Sequence, residues 1–216
     1  VRLALIRHGQ TDWNLAGRMQ GRTNIPLNAA GRAQASDLAR SLAEGEPWDA
    51  VVSSPLVRAS MTGDVLAEHL GLGPVMPVAE LVERSFGAAE GLSPGEALER
   101  WPDRQYPEME SAEAVATRAR KALEHIAERR PDQRVLAVSH GSFIRHLLAN
   151  VTSAPIDDIP RIGNTEMSIL SRDAQGRWSV QNVAGAPLTI LSRGAESGDL
   201  EAAARLKNAR SRVTHD

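Results

Sequence analysis

Cysteine is absent from the 216-residue sequence. That removes thiol nucleophiles, disulfides and Cys-based zinc sites, and it agrees with a reducing, cytoplasmic location. Aromatic side chains are scarce, with four Trp, two Phe and one Tyr and no basic stripe between them. Stacking on nucleic-acid bases therefore has little to stand on. Charge of one sign is also missing, because 25 basic and 27 acidic residues leave a formal net charge of −2. No global field would hold nucleic acid or an anionic membrane surface. No run approaches the ~18 apolar residues of a membrane span, and the opening Val1 to Ile6 is too short for a signal h-region. Walker A, Gly-x-Gly-x-x-Gly, His-x-His and His-Glu-x-x-His spacings are all missing, so neither a cofactor nor a metal is expected. Lysine occurs only at Lys121 and Lys207, the other basic residues being arginine. Genome base composition is a sufficient cause for that skew.

What is present is a 42% hydrophobic chain, enough for one sizeable core. The expected organisation is one domain over 1–193 and a polar tail over 194–216, with one surface helix near 199–211. Leu3 to Ile6, Ala50 to Val52 and Val135 to Val138 are short apolar runs that each end in a polar turn, as buried parallel strands do. Between them the pattern turns helical. Asn28 can cap a helix over about 29–44, and Ser54-Pro55 can cap and open one over about 55–70 that Gly71 ends. A helix over about 111–130 places Ala112, Val115, Ala119, Ala122, Leu123 and Ile126 on one face, with Arg118, Arg120 and Lys121 outward. A further helix over about 142–150 precedes strands near 166–171 and 177–183, which the Asp173 to Gly176 turn joins as a hairpin. Strands alternating with helices predict an α/β fold, a three-layer sandwich whose mostly parallel central sheet has an antiparallel edge.

Each apolar strand runs into a group suited to anions at its carboxyl end, where open α/β sheets place their ligands. The first gives Arg7-His8-Gly9, the second Ser53-Ser54-Pro55 with Arg58 one turn on, and the third Ser139-His140-Gly141. Arg58 and the positive end of its helix could then face one point. Two histidines and two arginines at strand ends suit phosphoryl transfer through a phosphohistidine: a neutral imidazole attacks phosphorus while guanidinium groups neutralise the equatorial oxygens. A leaving alkoxide needs a proton, for which Glu83 is the candidate, with Glu80 and Glu90 as competitors. His69, His125, His146 and His215 have no comparable context and read as surface or packing residues.

The run Leu5-Ile6-Arg7-His8-Gly9-Gln10-Thr11-Asp12-Trp13-Asn14 resembles the signature of the histidine phosphatase superfamily, in its phosphoglycerate-mutase-like branch. Gly21 to Asn28, Ser53 to Ala59, the Glu83 segment with Glu90-Gly91, and Ser139-His140-Gly141 follow in that family's order. The resemblance spans about residues 2–185. It implies that His8 is the phosphorylated nucleophile, that Arg7, Arg58 and His140 form the phosphate pocket beside Gly141, and that Glu83 is the proton donor. Asn14, Gln20 and Gly21 would line the pocket. The implied partner is a small phosphorylated metabolite, and a homodimer is compatible with the sequence.

Three functions fit this pattern to different degrees. A phosphatase and a phosphoglycerate mutase share the His8 chemistry and differ in whether water or a second hydroxyl accepts the phosphoryl group. The mutases of this family carry a long basic insertion after the Glu segment, whereas here only about 92–110 is available. It holds Glu96, Glu99, Asp103, Glu108 and Glu110 against Arg100 and Arg104. A short, net-acidic lid is poorly suited to a doubly charged anion, which favours hydrolysis. Met109-Glu110-Ser111 also departs from the Gly-Glu-Ser turn usual in the family. A catalytically silent binding module would be signalled by loss of His8, His140 or an arginine, and all are present.

Overall fold

The computed structural model describes residues 1–187. The expected 194–216 tail, its helix over 199–211 and the domain's end at 193 lie outside the described residues. Seven strands form one sheet: β1 (Arg2–Arg7), β2 (Ala50–Ser53), β3 (Met76–Pro77), β4 (Arg134–Ser139), β5 (Met167–Arg172), β6 (Trp178–Val183) and β7 (Ala186–Pro187). Their order is β3-β2-β4-β1-β5-β6-β7. The first four run parallel, and β5 joins β1 antiparallel and pairs with β6 as the expected hairpin.

Both faces of the sheet are covered, which is why its strands read as unbroken apolar runs. Leu3, Leu5, Val135 and Ala137 face a core built with α5 (Ala112–Arg129) and α6 (Gly141–Thr152). The alternate residues Ala4, Ile6, Leu136 and Val138 face Ala39 of α2 (Ala29–Ala43) and Ala59 and Leu66 of α3 (Val57–Leu70). This two-residue alternation produces the three layers. Two short helices, α1 (Asp12–Leu15) and α4 (Pro94–Arg100), complete the set among the described residues.

Most ends follow local chemistry. Asn28 Oδ1 accepts from the Gly31 amide at 2.8 Å and caps α2, and Gly71 closes α3 with a left-handed φ of 64°. The start of α3 departs from expectation. It begins at Val57, with Leu56 at the cap position and no side-chain cap, so Pro55 precedes the helix. The Ser54 hydroxyl instead lies 2.8 Å from His140 Nε2. Two assignments on α5 also change, Ala112 from the apolar face and Arg118 from the outward one. Ala112 is exposed, and Arg118 folds back to donate to the carbonyls of Glu80 and Val82 at 2.7 and 2.6 Å and to the Glu110 carboxylate at 2.8 Å. A long stem lets a residue at the rim of a helix face reach under a neighbouring loop.

Candidate active site

The carboxyl ends of β1, β4 and β2 deliver Arg7, His140 and Ser54 to one place, with His8 directly after β1. The register Arg7↔Ser139 puts His8 and His140 side by side, their ring centroids 5.2 Å apart. Close approach is possible because Gly9 packs against the Gly31 backbone, where any Cβ would collide with the carbonyl. The Gly9 amide donates to Thr62 Oγ1 at 3.1 Å, and that hydroxyl donates to the Arg58 carbonyl at 2.7 Å, so His8 and α3 are mutually fixed.

His8 is 3% exposed. Its Nδ1 lies 2.7 Å from the Gly9 carbonyl, which can only accept, so Nδ1 carries the proton and Nε2 the lone pair. Arg58 Nε donates to that Nε2 at 3.2 Å. The same guanidinium is braced by the carbonyls of Thr23 and Gly21 at 2.8 and 2.7 Å. Burial, with Arg58 and Arg7 adding like charge, holds the His8 imidazole well below its ordinary pKa. His140 is lowered in the same way, by burial first and then by Arg58. It is fully buried beside His8 and is not among the residues that line the cleft. Arg7 donates to the Ile162 carbonyl at 2.8 Å and leaves Nε buried without a partner among the described residues.

Glu83 lies in the irregular segment between two 3₁₀ turns. Its carboxylate accepts from the amides of Arg84, Ser142 and Phe143 at 2.8, 3.1 and 2.8 Å, the last two at the start of α6. Burial still outweighs those bonds and the nearby Arg58, so its pKa is raised. The competing carboxylates are committed elsewhere. Glu80 faces His125 Nδ1 at 3.4 Å, and Glu90 accepts from the Arg22, Thr23 and Phe86 amides. The amino end of α3, expected to point at a ligand, is likewise taken: Asn24 Oδ1 accepts from the Val57 amide at 2.8 Å. It is α6 that turns its amino end to the cleft.

Arg7, His8, Asn14, Gln20, Gly21, Arg58, Glu83 and Gly141 all line a single cleft of about 570 Å³. Asn14 is set by the Thr11 amide and by Asn164, which also donates to the His8 carbonyl at 2.9 Å. Gln20 accepts from Thr11 Oγ1 at 2.9 Å. Several lining residues were not expected: Arg18, Arg84, Arg145, His146 and Arg161. His146, read from sequence as a surface or packing residue, stands on the cleft wall. The signal that could have found it is its spacing. Ser142, Arg145 and His146 sit at i, i+3 and i+4 on α6, directly after His140-Gly141. No residue of the 92–110 segment lines the cleft, and Glu110 is tied to Arg118 and Arg22. Of the acidity assigned to the lid, Glu110 acts from outside the cleft, on Arg84 and His146 of its wall. Six arginines line it, against Glu83 and Asp157 as its carboxylates.

A model of the histidine phosphatase superfamily (branch 1) matches residues 3–184. The chain belongs to that superfamily. It is 36% identical over 181 residues to a Bacillus subtilis (strain 168) protein named uncharacterized phosphatase PhoE, covering 83% of this chain and 92% of that one. It is also 36% identical over 164 residues to the metal-independent phosphoserine phosphatase of Arabidopsis thaliana, covering 70% of this chain and 69% of that one. The native structure of mycobacterial glucosyl-3-phosphoglycerate phosphatase superposes with a TM-score of 0.75 at 29% identity, covering 86% of this chain and 99% of that one. Among the described residues of this superfamily member, no helix is long and apolar enough to cross a membrane, and no group of three or more His, Asp or Glu side chains could hold a metal ion.

Proposed function

We propose that the protein is a phosphomonoester hydrolase that works through a phosphohistidine on His8. The observation that carries this is His8 itself. It is buried and neutral, with Nδ1 fixed to the Gly9 carbonyl and Nε2 facing Arg58 at 3.2 Å. In the first step Nε2 attacks phosphorus, the ester P–O bond breaks, and Glu83 passes its proton to the leaving oxygen. Arg58 gives up its bond to Nε2 and, with Arg7, takes the phosphoryl oxygens. In the second step the Glu83 carboxylate accepts a proton from water, the water oxygen attacks phosphorus, and the N–P bond breaks to release phosphate. His140 stays neutral beside His8 and supports the pocket, while Asn14, Gln20, Gly21 and Gly141 shape its walls.

The match to named phosphatases over most of the chain supports hydrolysis, as does the short segment between Gly91 and α5. The basic cleft wall favours one second reading, a mutase that holds a doubly phosphorylated intermediate with the same His8. Rapid-quench labelling with phosphoryl-labelled metabolites separates the two. The expected result is an acid-labile phosphoenzyme in the intact protein, none in His8→Ala, and stoichiometric release of phosphate. Label moving between two hydroxyls of one metabolite with little free phosphate would make the protein a mutase.

A further inference from the structure

The phosphoryl-transfer chemistry gives Glu90 no task, yet its carboxylate is saturated with donors. Glu90 ends the 3₁₀ turn Gly87–Ala89 and is half-buried. Its Oε1 accepts from the amides of Arg22 and Phe86 at 3.0 and 3.1 Å, and its Oε2 from the amide and hydroxyl of Thr23 at 2.9 and 2.6 Å. Bonds to a charged acceptor are the strong ones. Three of the four go to one short loop.

That loop holds Arg58. The Arg22 amide and the Gly21 carbonyl belong to one peptide group, and in a trans peptide they point in opposite directions. The amide end meets Glu90, and the carbonyl end accepts from Arg58 Nη2 at 2.7 Å. A single peptide dipole thus lies between an anion at its positive end and a cation at its negative end, an arrangement that favours both charges. Thr23 repeats the pattern, with its amide and hydroxyl on Glu90 and its carbonyl accepting from Arg58 Nη1 at 2.8 Å. Gly21 makes the approach possible: its φ is 49°, and any Cβ there would collide with the Glu90 carboxylate.

Arg58 needs such a hold. It is fully buried, and burial lowers its pKa to about 10, with Glu83 and then Glu90 opposing the fall and Arg7 adding to it. Glu83 enters the reaction carrying a proton, which leaves Glu90 as the counter-charge at that stage. Phe86, three residues after Glu83, is bonded to the same carboxylate, so the guanidinium and the proton donor are tied to one point.

We propose that Glu90 is the positioning residue of Arg58: acting through the Gly21–Arg22 peptide and through Thr23, it fixes the guanidinium that passes from His8 Nε2 to the phosphoryl oxygens. This rests on the phosphoryl-transfer reading of His8. Each Nη spends one N–H on a carbonyl and keeps a second for the phosphoryl group. The fork therefore changes ligand without changing place.

The test is a double-mutant cycle on the full chain, read as kcat and KM for p-nitrophenyl phosphate and as the Kd of orthovanadate. Turnover that His8→Ala abolishes establishes the hydrolase independently, and the orthovanadate arm reads the coupling of Glu90 to Arg58 even without turnover. Glu90→Gln should lower kcat/KM about 30-fold and weaken orthovanadate binding about tenfold. In an Arg58→Ala background the same substitution should cost less than about twofold on either readout, because the group that Glu90 holds is gone. No loss from Glu90→Gln, or equal proportional losses in both backgrounds, would overturn the proposal and leave the hydrolase standing. Urea unfolding checks that each variant is folded. Should Glu90→Gln fail to fold, Thr23→Val, which removes only the hydroxyl bond, decides in its place: a loss of about threefold that needs Arg58 supports the proposal, and an equal loss without Arg58 overturns it.

Discussion

His8 and Glu83 share one cleft, and burial moves their proton affinities in opposite directions. Taking a cation out of water disfavours the imidazolium, and taking an anion out disfavours the carboxylate. Both groups therefore hold the protonation state that transfer requires between the lowered pKa of His8 and the raised pKa of Glu83. The acid limb of the pH profile belongs to His8 and the alkaline limb to Glu83. With an alkyl phosphate, Glu83→Gln should lower kcat/KM by about 100-fold or more and remove the alkaline limb. With p-nitrophenyl phosphate, whose leaving group departs without a proton, the loss in kcat/KM should be much smaller. Steady-state pH profiles on both substrates check this, and an alkaline limb that survives in the variant would assign the proton to another group.

Glu83 has no regular structure of its own, so its position depends on two elements packed around it. The amides at the start of α6 hold the carboxylate, and Arg118 of α5 holds the backbone through the carbonyls of Glu80 and Val82. Arg118 is also paired with Glu110, and both side chains are mostly buried, at 16% and 12% exposure. Arg118→Ala leaves that carboxylate with only Arg22 and the Ser85 amide and frees the segment. The expected cost is about 3 kcal/mol in denaturant unfolding, with a larger drop in kcat/KM for alkyl phosphates than for p-nitrophenyl phosphate. An equal drop on both would show that Arg118 supports the fold without positioning Glu83. Elements such as β1, β4, α2 and α5 could be read from sequence because apolar runs and caps are local signals. Neither α1 nor β3 spans enough residues to show a period. The start of α3 was misread because Ser54 answers to His140, 86 residues away. The catalytic end of the cleft was legible because its residues follow strands in fixed motifs. Its basic wall was not, because Arg84, Arg145 and Arg161 meet only after folding.

At the scale of the molecule, three histidines are held neutral: His8, His140 and His146. As pH falls through their ordinary value of 6.5, the unfolded chain takes up protons that the folded chain refuses until lower pH. Stability contributed by these groups is therefore present above 6.5 and lost on acidification, with Glu83 acting in the opposite sense. Urea unfolding should give a lower free energy at about pH 5.5 than at about pH 7.5, and His146→Asn should flatten that slope. A slope unchanged in the variant would mean that His146 titrates alike in both states. The pairing of β1 with β4 has a further consequence, for the time at which the protein first becomes active. His8 leaves the ribosome well ahead of β4, yet it is seated only when that strand, made more than a hundred residues later, docks beside it. A chain interrupted before β4 carries the reactive imidazole without its pocket, so synthesis yields no half-active intermediate able to consume phosphate esters.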